Sequence, residues 1–164
     1  MTLSSEHENY AELIKQLVGL LSFRQRIKVL HFGSMTMKTK REGKGSEPDA
    51  CFYVQSAASI GGKKQLDFSS DPPPDIVVEV DLHHESLSKF PIYAALKVPE
   101  IWRYDGQALT IYHLRQDQYI RADSSQALPL LTSSTLTEFL SRSSHEDQYE
   151  TLLAFERWLE AHPR

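Results

Sequence analysis

Apolar side chains recur at helical spacing near the start of the chain. The apolar positions are Tyr10, Leu13, Ile14, Leu17, Leu20 and Leu21. They follow Ser5-Glu6-His7-Glu8, which has the Ser-x-x-Glu form of a helix capping box. The pattern predicts an amphipathic first helix that ends near Phe23.

The next part of the chain alternates between strand-forming runs and polar breakers. The predicted elements are strands over residues 27–32, 34–40 and 50–54 and a polar turn over residues 41–46. Residues 55–74 are rich in Ser, Gly, Lys and Pro, which predicts a mobile loop. This loop leads into a short β-branched strand over residues 76–81.

The remaining sequence predicts helices at both ends of a group of strands. In order, the elements are a helix starting close to Leu87, strands over 101–104, 109–114 and 118–122, a helix after a second capping box at Thr135, and a C-terminal helix from Tyr149 to Leu159. Pro91 is compatible with the helix only in its first turn. This order predicts one α/β or mixed α+β domain over residues 1–164, with helices packed on a single sheet and the first helix N-terminal.

One acid stands inside an apolar strand. The apolar members of the run are Ile76, Val77, Val78 and Val80. Glu79 interrupts them, and a carboxylate in a buried strand is costly unless a partner, a metal ion or a proton compensates its charge. Residues two apart in a strand share a face, so Glu79 and Asp81 are expected to project together.

A third acid, Asp49, comes just before the neighbouring predicted strand. Three converging carboxylates would repel one another, and a divalent cation would resolve the conflict. Hard oxygen ligands favour Mg²⁺ or Mn²⁺ over zinc. Lys89, in the first turn of the following helix, supplies a cation to polarise an attacking water or to stabilise charge on a phosphate.

A structural interpretation of the same residues stays open at this point. In it, Asp49 is only a turn residue after Pro48, Glu79 forms a structural ion pair with Lys89, and Asp81 caps the end of the strand. Spacing alone gives this interpretation the same weight as a metal site.

Four ordered motifs between about residues 7 and 119 resemble the Uma-type restriction endonuclease family of the PD-(D/E)XK nuclease superfamily. The motifs are Glu47-Pro48-Asp49, Pro73-Pro74-Asp75-Ile76-Val77-Val78-Glu79-Val80, Lys89 with Tyr93-Ala94, and Val98-Pro99-Glu100-Ile101-Trp102-Arg103-Tyr104-Asp105. The resemblance implies a restriction endonuclease-like fold, which is a central mixed sheet flanked by helices, and a Mg²⁺-dependent phosphodiesterase site.

The resemblance also implies roles for individual residues. Asp49 corresponds to the first metal-binding acid of the superfamily and Glu79 to the second. The superfamily pattern has a lysine two residues after that second acid, where this chain has Asp81. The role of the lysine would therefore pass to Lys89 on the helix, and Asp81 would assist directly or through water.

Three further residues are accessory candidates. His7 lies on the apolar side of the first predicted helix, which allows it to reach the site but favours a packed histidine more strongly. Glu8 adds a carboxylate in the same turn, although helix capping explains it more simply. Glu85 lies in the loop between Asp81 and Lys89.

Composition and charge limit the possible functions. The single cysteine, Cys51, excludes an internal disulfide framework and fits a reducing cytoplasm. No basic start with an apolar run of signal length and no stretch of about 20 apolar residues is present, so neither secretion nor membrane insertion is expected. The net charge is −4, but residues 1–64 carry ten Lys or Arg against six Asp or Glu. This basic part is equally consistent with a solvated surface and with a phosphate-facing patch.

Two hypotheses of function follow. The first is a cytoplasmic endonuclease that hydrolyses DNA phosphodiester bonds with Mg²⁺ or Mn²⁺ held by Asp49 and Glu79. The second is a catalytically inactive nuclease-like module that acts as a DNA-binding or protein-interaction subunit, with the acids kept as structural ion pairs. A homodimer is expected in either case.

Overall fold

A six-stranded sheet forms the centre of the molecule in the computed structural model, which describes residues 5–33, 35–38, 45–83 and 85–163. The strands, in chain order, are β1 (Leu30–Phe32), β2 (Met37–Lys38), β3 (Gly45–Ser46), β4 (Ala50–Tyr53), β5 (Ile76–Val80), β6 (Glu100–Tyr104), β7 (Leu109–Arg115) and β8 (Gln118–Ala122). The order across the sheet is β1-β4-β5-β6-β7-β8, and β2 pairs with β3 separately.

The sheet is mixed, because one pair of neighbours runs in parallel. β5 and β6 are parallel, with Glu79 opposite Arg103, whereas the other neighbouring strands are antiparallel. A parallel pair needs a crossover connection, which here passes through a short helix. The predicted mixed sheet flanked by helices, with the first helix N-terminal, is confirmed.

Three helices cover one face of the sheet. They are α1 (Ser5–Gln25), α4 (Ser133–Arg142) and α5 (Gln148–Ala161). Their apolar sides bury side chains such as Leu17, Leu136 and Phe155 against Val78 and Trp102 of the sheet. Removal of this apolar surface from water is the main term that holds the helices to the sheet. Across the described ranges, no helix is long and apolar enough to cross a membrane.

The opposite face is covered by α3 (Phe90–Ala95), which follows a 3₁₀ turn over Leu87–Lys89. Tyr93 of α3 packs there on a buried cluster that includes Val77 and Ile101. Because side chains alternate along a strand, Glu79 lies on the same face as Val77. Helix α3, in the connection between β5 and β6, therefore covers the face of the sheet on which Glu79 lies.

Most predicted elements are confirmed, with shorter boundaries in the first half. The predicted strand over residues 27–32 is limited to Leu30–Phe32, and the strand over 34–40 to Met37–Lys38. The predicted polar turn over 41–46 is corrected at its end, where Gly45–Ser46 forms β3. The predictions for residues 34 and 39–44 lie outside the described residues.

The segment over residues 55–74 is more regular than its composition predicts. It contains α2 (Ala57–Ile60), whose Ala57 and Ile60 are buried against Tyr53. The Tyr53 hydroxyl also donates to the carbonyl of Pro72, 3.0 Å away. A helix of four residues is too short for hydrophobic periodicity to indicate, and its stability depends on tertiary packing.

Helix starts show which sequence signals were correct. Pro91 lies in the first turn of α3, as predicted. The N-cap of α4 is Thr132 and not Thr135, because the Thr132 hydroxyl accepts from the backbone N–H of Thr135. Sequence alone does not distinguish the two threonines, since both precede a helical run.

The entry into β5 is fixed by Asp75, which provides a stability test. Its carboxylate accepts from the backbone N–H of Val54 at 2.7 Å, and from the N–H and hydroxyl of Ser56 at 2.9 and 3.1 Å. We expect Asp75→Ala to lower the free energy of unfolding by about 2–4 kcal/mol, because buried donors lose a charged acceptor. Urea unfolding measures this loss. Asp123→Ala, at an exposed aspartate, should cost no more than about 0.5 kcal/mol, and equal losses for both variants would contradict the assigned role.

Candidate active site

The centre of the candidate site is the carboxylate of Glu79. Every residue of β5 is buried, and Glu79 itself is 2% exposed. Lys89 Nζ lies 3.3 Å from Oε1 and 3.2 Å from Oε2, and the Tyr93 hydroxyl donates to Oε1. Lys89 and Tyr93 are four residues apart across the start of α3, so one side of this helix supplies both donors.

Lys89 reaches back from the 3₁₀ turn to the strand. Besides its ion pair with Glu79, its ammonium donates to the backbone carbonyl of Glu47 at 3.3 Å. The side chain stays 36% exposed, whereas that of Glu79 is 2% exposed. Lys89 thus connects a buried acid to the outside of the protein.

Asp49 is held next to Glu79 by the backbone of β5. Its N–H donates to the carbonyl of Val78 at 3.0 Å, and its Oδ2 accepts from the N–H of Val80 at 2.7 Å. The two peptide groups that fix Asp49 therefore flank Glu79 on both sides. His7 of α1 brings Nε2 within 3.3 Å of the same Oδ2.

Burial is the main influence on the protonation of Glu79. Burial raises the pKa of Glu79 to about 7, and the charge of Asp49 adds to this rise, while Lys89 and the hydroxyl of Tyr93 oppose it. Burial, together with the charge of Glu79, also raises the pKa of Tyr93. Glu79 therefore holds a proton more tightly than an ordinary glutamate does.

Asp49 and Glu79 have the donor chemistry of a Mg²⁺ or Mn²⁺ site. Both offer hard carboxylate oxygens, and their mutual repulsion is relieved by a cation. In the part of the chain that the structure describes, no group of three or more His, Cys, Asp or Glu residues is arranged as a metal site. Mg²⁺ commonly takes only one or two protein carboxylates, with water and substrate phosphate completing its shell. The pair therefore fits this ion and does not fit structural zinc.

Asp81 makes a different set of contacts from Glu79. Its Oδ2 accepts from Nε of Arg103 at 2.6 Å and from the N–H and hydroxyl of Ser86 at 2.9 and 2.8 Å. Ser86 is the N-cap of the 3₁₀ turn that carries Lys89. The structure thus places Asp49 and Lys89 next to Glu79 in β5. Asp81, just after the strand, instead binds Arg103 and Ser86.

The accessory candidates separate in the same way. His7 reaches Asp49, although its position on the apolar side of the helix made a packed histidine the stronger expectation. Glu8 and Glu85 are both exposed. Only His7, of the three, contacts a predicted site residue among the contacts that we observe in the described ranges.

Comparison with known proteins now decides the family. A family model described as "Putative restriction endonuclease", Uma2, matches residues 1–155. The chain belongs to the Uma2 family. A crystal structure described as a "putative nuclease belonging to DUF820", from Anabaena variabilis ATCC 29413, has a similar fold, with a TM-score of 0.57 and 15% sequence identity over 85% of this chain and 84% of that chain. No curated protein matches the sequence.

The structure adds two residues to the candidate site for which the sequence predicts no role, Tyr93 and Arg103. Both residues stand in the motifs that resemble the family, but the motifs alone give neither of them a partner. The signal for Tyr93 was its position four residues after Lys89 in the same helix. The signal for Arg103 was a lone cation inside an apolar strand, and its partner follows only from the register of β5 with β6.

The raised pKa of Glu79 predicts a pH-dependent stability in the absence of metal. The folded protein holds this proton more tightly than the unfolded chain, whose glutamate keeps its usual value of 4.5. The stabilisation is therefore complete below the unfolded value and is lost as pH rises through about 7. Between pH 5 and 8 we expect wild type to lose about 2–3 kcal/mol more than Glu79→Gln.

Urea unfolding in a chelating buffer at both pH values measures this difference. Glu150→Gln, at an exposed glutamate, is the matched control and should follow wild type. Parallel pH profiles for wild type and Glu79→Gln would show that the carboxylate of Glu79 titrates normally.

Proposed function

We propose that this Uma2-family protein is a Mg²⁺- or Mn²⁺-dependent endonuclease that hydrolyses DNA phosphodiester bonds. The observation that supports the proposal most strongly is the position of Asp49, whose backbone and side chain bond to the peptide groups on either side of Glu79. Two acids held at the same stretch of β5, with a partly exposed lysine beside them, are the components of a metal-assisted phosphodiesterase. The family membership independently supports nuclease activity.

Asp49 and Glu79 would hold the cation through their carboxylates. The cation would supply stabilisation of the charge on the phosphate and a lowered pKa for the attacking water. The fold already keeps Glu79 away from bulk water, and the backbone N–H of Val80 fixes the carboxylate of Asp49. A preorganised, dry acid gains more from a cation than an exposed one, because electrostatic interactions strengthen at low dielectric.

Lys89 would act on the nucleophile or on the phosphate. Its ammonium is anchored by Glu79 and by the carbonyl of Glu47, and its side chain is still 36% exposed. It combines a fixed position with access to a ligand, which is the requirement for a group that orients water or stabilises developing charge.

Asp81 would act through Lys89 and not on the metal. Its carboxylate binds Ser86 at the start of the 3₁₀ turn, and Arg103 neutralises its charge. This contact fixes the turn from which Lys89 extends. A lysine supplied by the crossover, in place of the strand position held by Asp81, explains how the site keeps a cation beside Glu79.

DNA is the proposed substrate, and the homodimer and the cytoplasmic location stay predictions. The basic residues of the first 64 positions are the proposed source of attraction for phosphates, against an overall net charge of −4.

One observation favours the inactive-module hypothesis. Lys89 and Tyr93 together occupy both oxygens of the Glu79 carboxylate. A nuclease-like domain that had lost its metal would keep this ion pair as a structural contact, because breaking a buried pair is costly. This module would bind DNA or a protein partner without cutting.

A cleavage assay on supercoiled plasmid tests the proposal. We expect wild type to nick DNA with Mg²⁺ or Mn²⁺ and to stop when the cation is chelated. Asp49→Asn, Glu79→Gln and Lys89→Ala should each lower the rate by about 100-fold or more, because each removes a charge that acts in the transition state. Lys97→Ala is the matched control, because Lys97 is exposed and pairs with the exposed Asp117.

Equal cleavage by wild type and by the three site variants would reject the enzymatic role. Band-shift measurements on the same samples separate the second hypothesis. An unchanged DNA affinity in Glu79→Gln, together with no cleavage by wild type, would identify an inactive DNA-binding module.

A further inference from the structure

Both donors to Glu79 are themselves held by one short segment at the end of β3. The Ser46 hydroxyl lies 3.1 Å from the hydroxyl of Tyr93, and the carbonyl of the next residue, Glu47, accepts from Lys89 at 3.3 Å. Ser46 is 6% exposed and Tyr93 is 0% exposed. The segment therefore contacts both donors of the Glu79 carboxylate.

The direction of the hydrogen bonds follows from the number of available protons. In its ionised form, which is the form that binds a cation, the Glu79 carboxylate only accepts, so the single hydroxyl proton of Tyr93 goes to Oε1 of Glu79. Tyr93 then has no proton for Ser46, and Ser46 must donate to Tyr93. The result is a chain of donors from Ser46 through Tyr93 to Glu79, in which each bond polarises the next.

We propose that Ser46 and Tyr93 are positioning residues that orient the Glu79 carboxylate for a divalent cation. The inference rests on the proposed metal site and extends it to two residues that touch neither metal nor substrate. Outer partners that orient a ligating carboxylate commonly change metal affinity by about 10–100-fold when they are lost.

The contacts of the carboxylate support an orienting role for Tyr93. Among the residues that the structure describes, Oε1 accepts from both Tyr93 and Lys89, whereas Oε2 accepts from Lys89 alone. The Tyr93 hydroxyl therefore distinguishes the two oxygens and fixes the rotation of the carboxylate. Packing alone does not require a hydroxyl here, because the ring of Tyr93 lies among apolar side chains such as Val77 and Ile101. A phenylalanine would fill the same space without the donor.

A double-mutant cycle on Mn²⁺ binding tests the chain of donors. Calorimetric titration with Mn²⁺ alone gives the dissociation constants, with Glu79→Gln as the baseline for loss of the site. We expect Tyr93→Phe to weaken Mn²⁺ binding by about 10–100-fold, and Ser46→Ala to weaken it by a smaller factor. The double variant should bind no more weakly than Tyr93→Phe, because Ser46 acts only through the hydroxyl of Tyr93.

Tyr119→Phe is the matched control, because Tyr119 is a partly buried tyrosine in β8 whose hydroxyl donates to the carbonyl of Val98, 2.8 Å away. It should bind Mn²⁺ as wild type does, and near-ultraviolet circular dichroism verifies that each variant is folded. If the double variant weakened Mn²⁺ binding by the product of the two single-variant factors, the chain of donors from Ser46 through Tyr93 would be overturned. Unchanged Mn²⁺ affinity in Tyr93→Phe would overturn it too. Wild type that binds Mn²⁺ no better than Glu79→Gln would overturn the proposed metal site as well, which separates the two failures.

Discussion

Glu79 lies in the central strand of the sheet with 2% of its surface exposed, and its charge has to be compensated by the groups beside it. The neighbours of Glu79 change its pKa in opposite directions. Lys89 and Tyr93 favour the ionised form, whereas burial and Asp49 favour the protonated form. A pKa of about 7 is the balance of these effects. A divalent cation would lower both the cost of burying the ionised Glu79 carboxylate and the repulsion between Glu79 and Asp49.

The fold supplies these neighbours through its single parallel strand pair. A parallel connection between β5 and β6 has to cross over the sheet, and the crossover carries the 3₁₀ turn and α3 across the face on which Glu79 lies. Lys89 and Tyr93 therefore reach Glu79 from the face of the sheet that α3 covers. The antiparallel neighbour β4 brings Asp49 to the side, where the backbone of β5 holds it. A change of strand direction in the middle of the sheet thus assembles the site.

Local patterns and a family resemblance select Asp49, Glu79 and Lys89, which the structure brings together, because each has a signal in the chain itself. Glu79 interrupts a β-branched run, and Lys89 begins a helix with apolar periodicity. The partner of Asp81 had no such signal, since Arg103 meets it only through the register of two strands that are distant in sequence. The hydroxyl of Tyr93 was equally hidden, because an aromatic residue at helical spacing is explained by packing alone. The short helix Ala57–Ile60 was missed because its stability comes from Tyr53, not from its own sequence.

We propose that Asp49 and Glu79 together bind one divalent cation. Anomalous diffraction at the manganese edge, from crystals of the whole chain soaked in Mn²⁺, tests it most directly. We expect one strong peak within coordination distance of carboxylate oxygens of both Asp49 and Glu79. Glu79→Gln crystals under the same conditions should lack this peak. Wild-type crystals with no peak at these acids, and with Glu79 still bound to Lys89 and Tyr93, would contradict it.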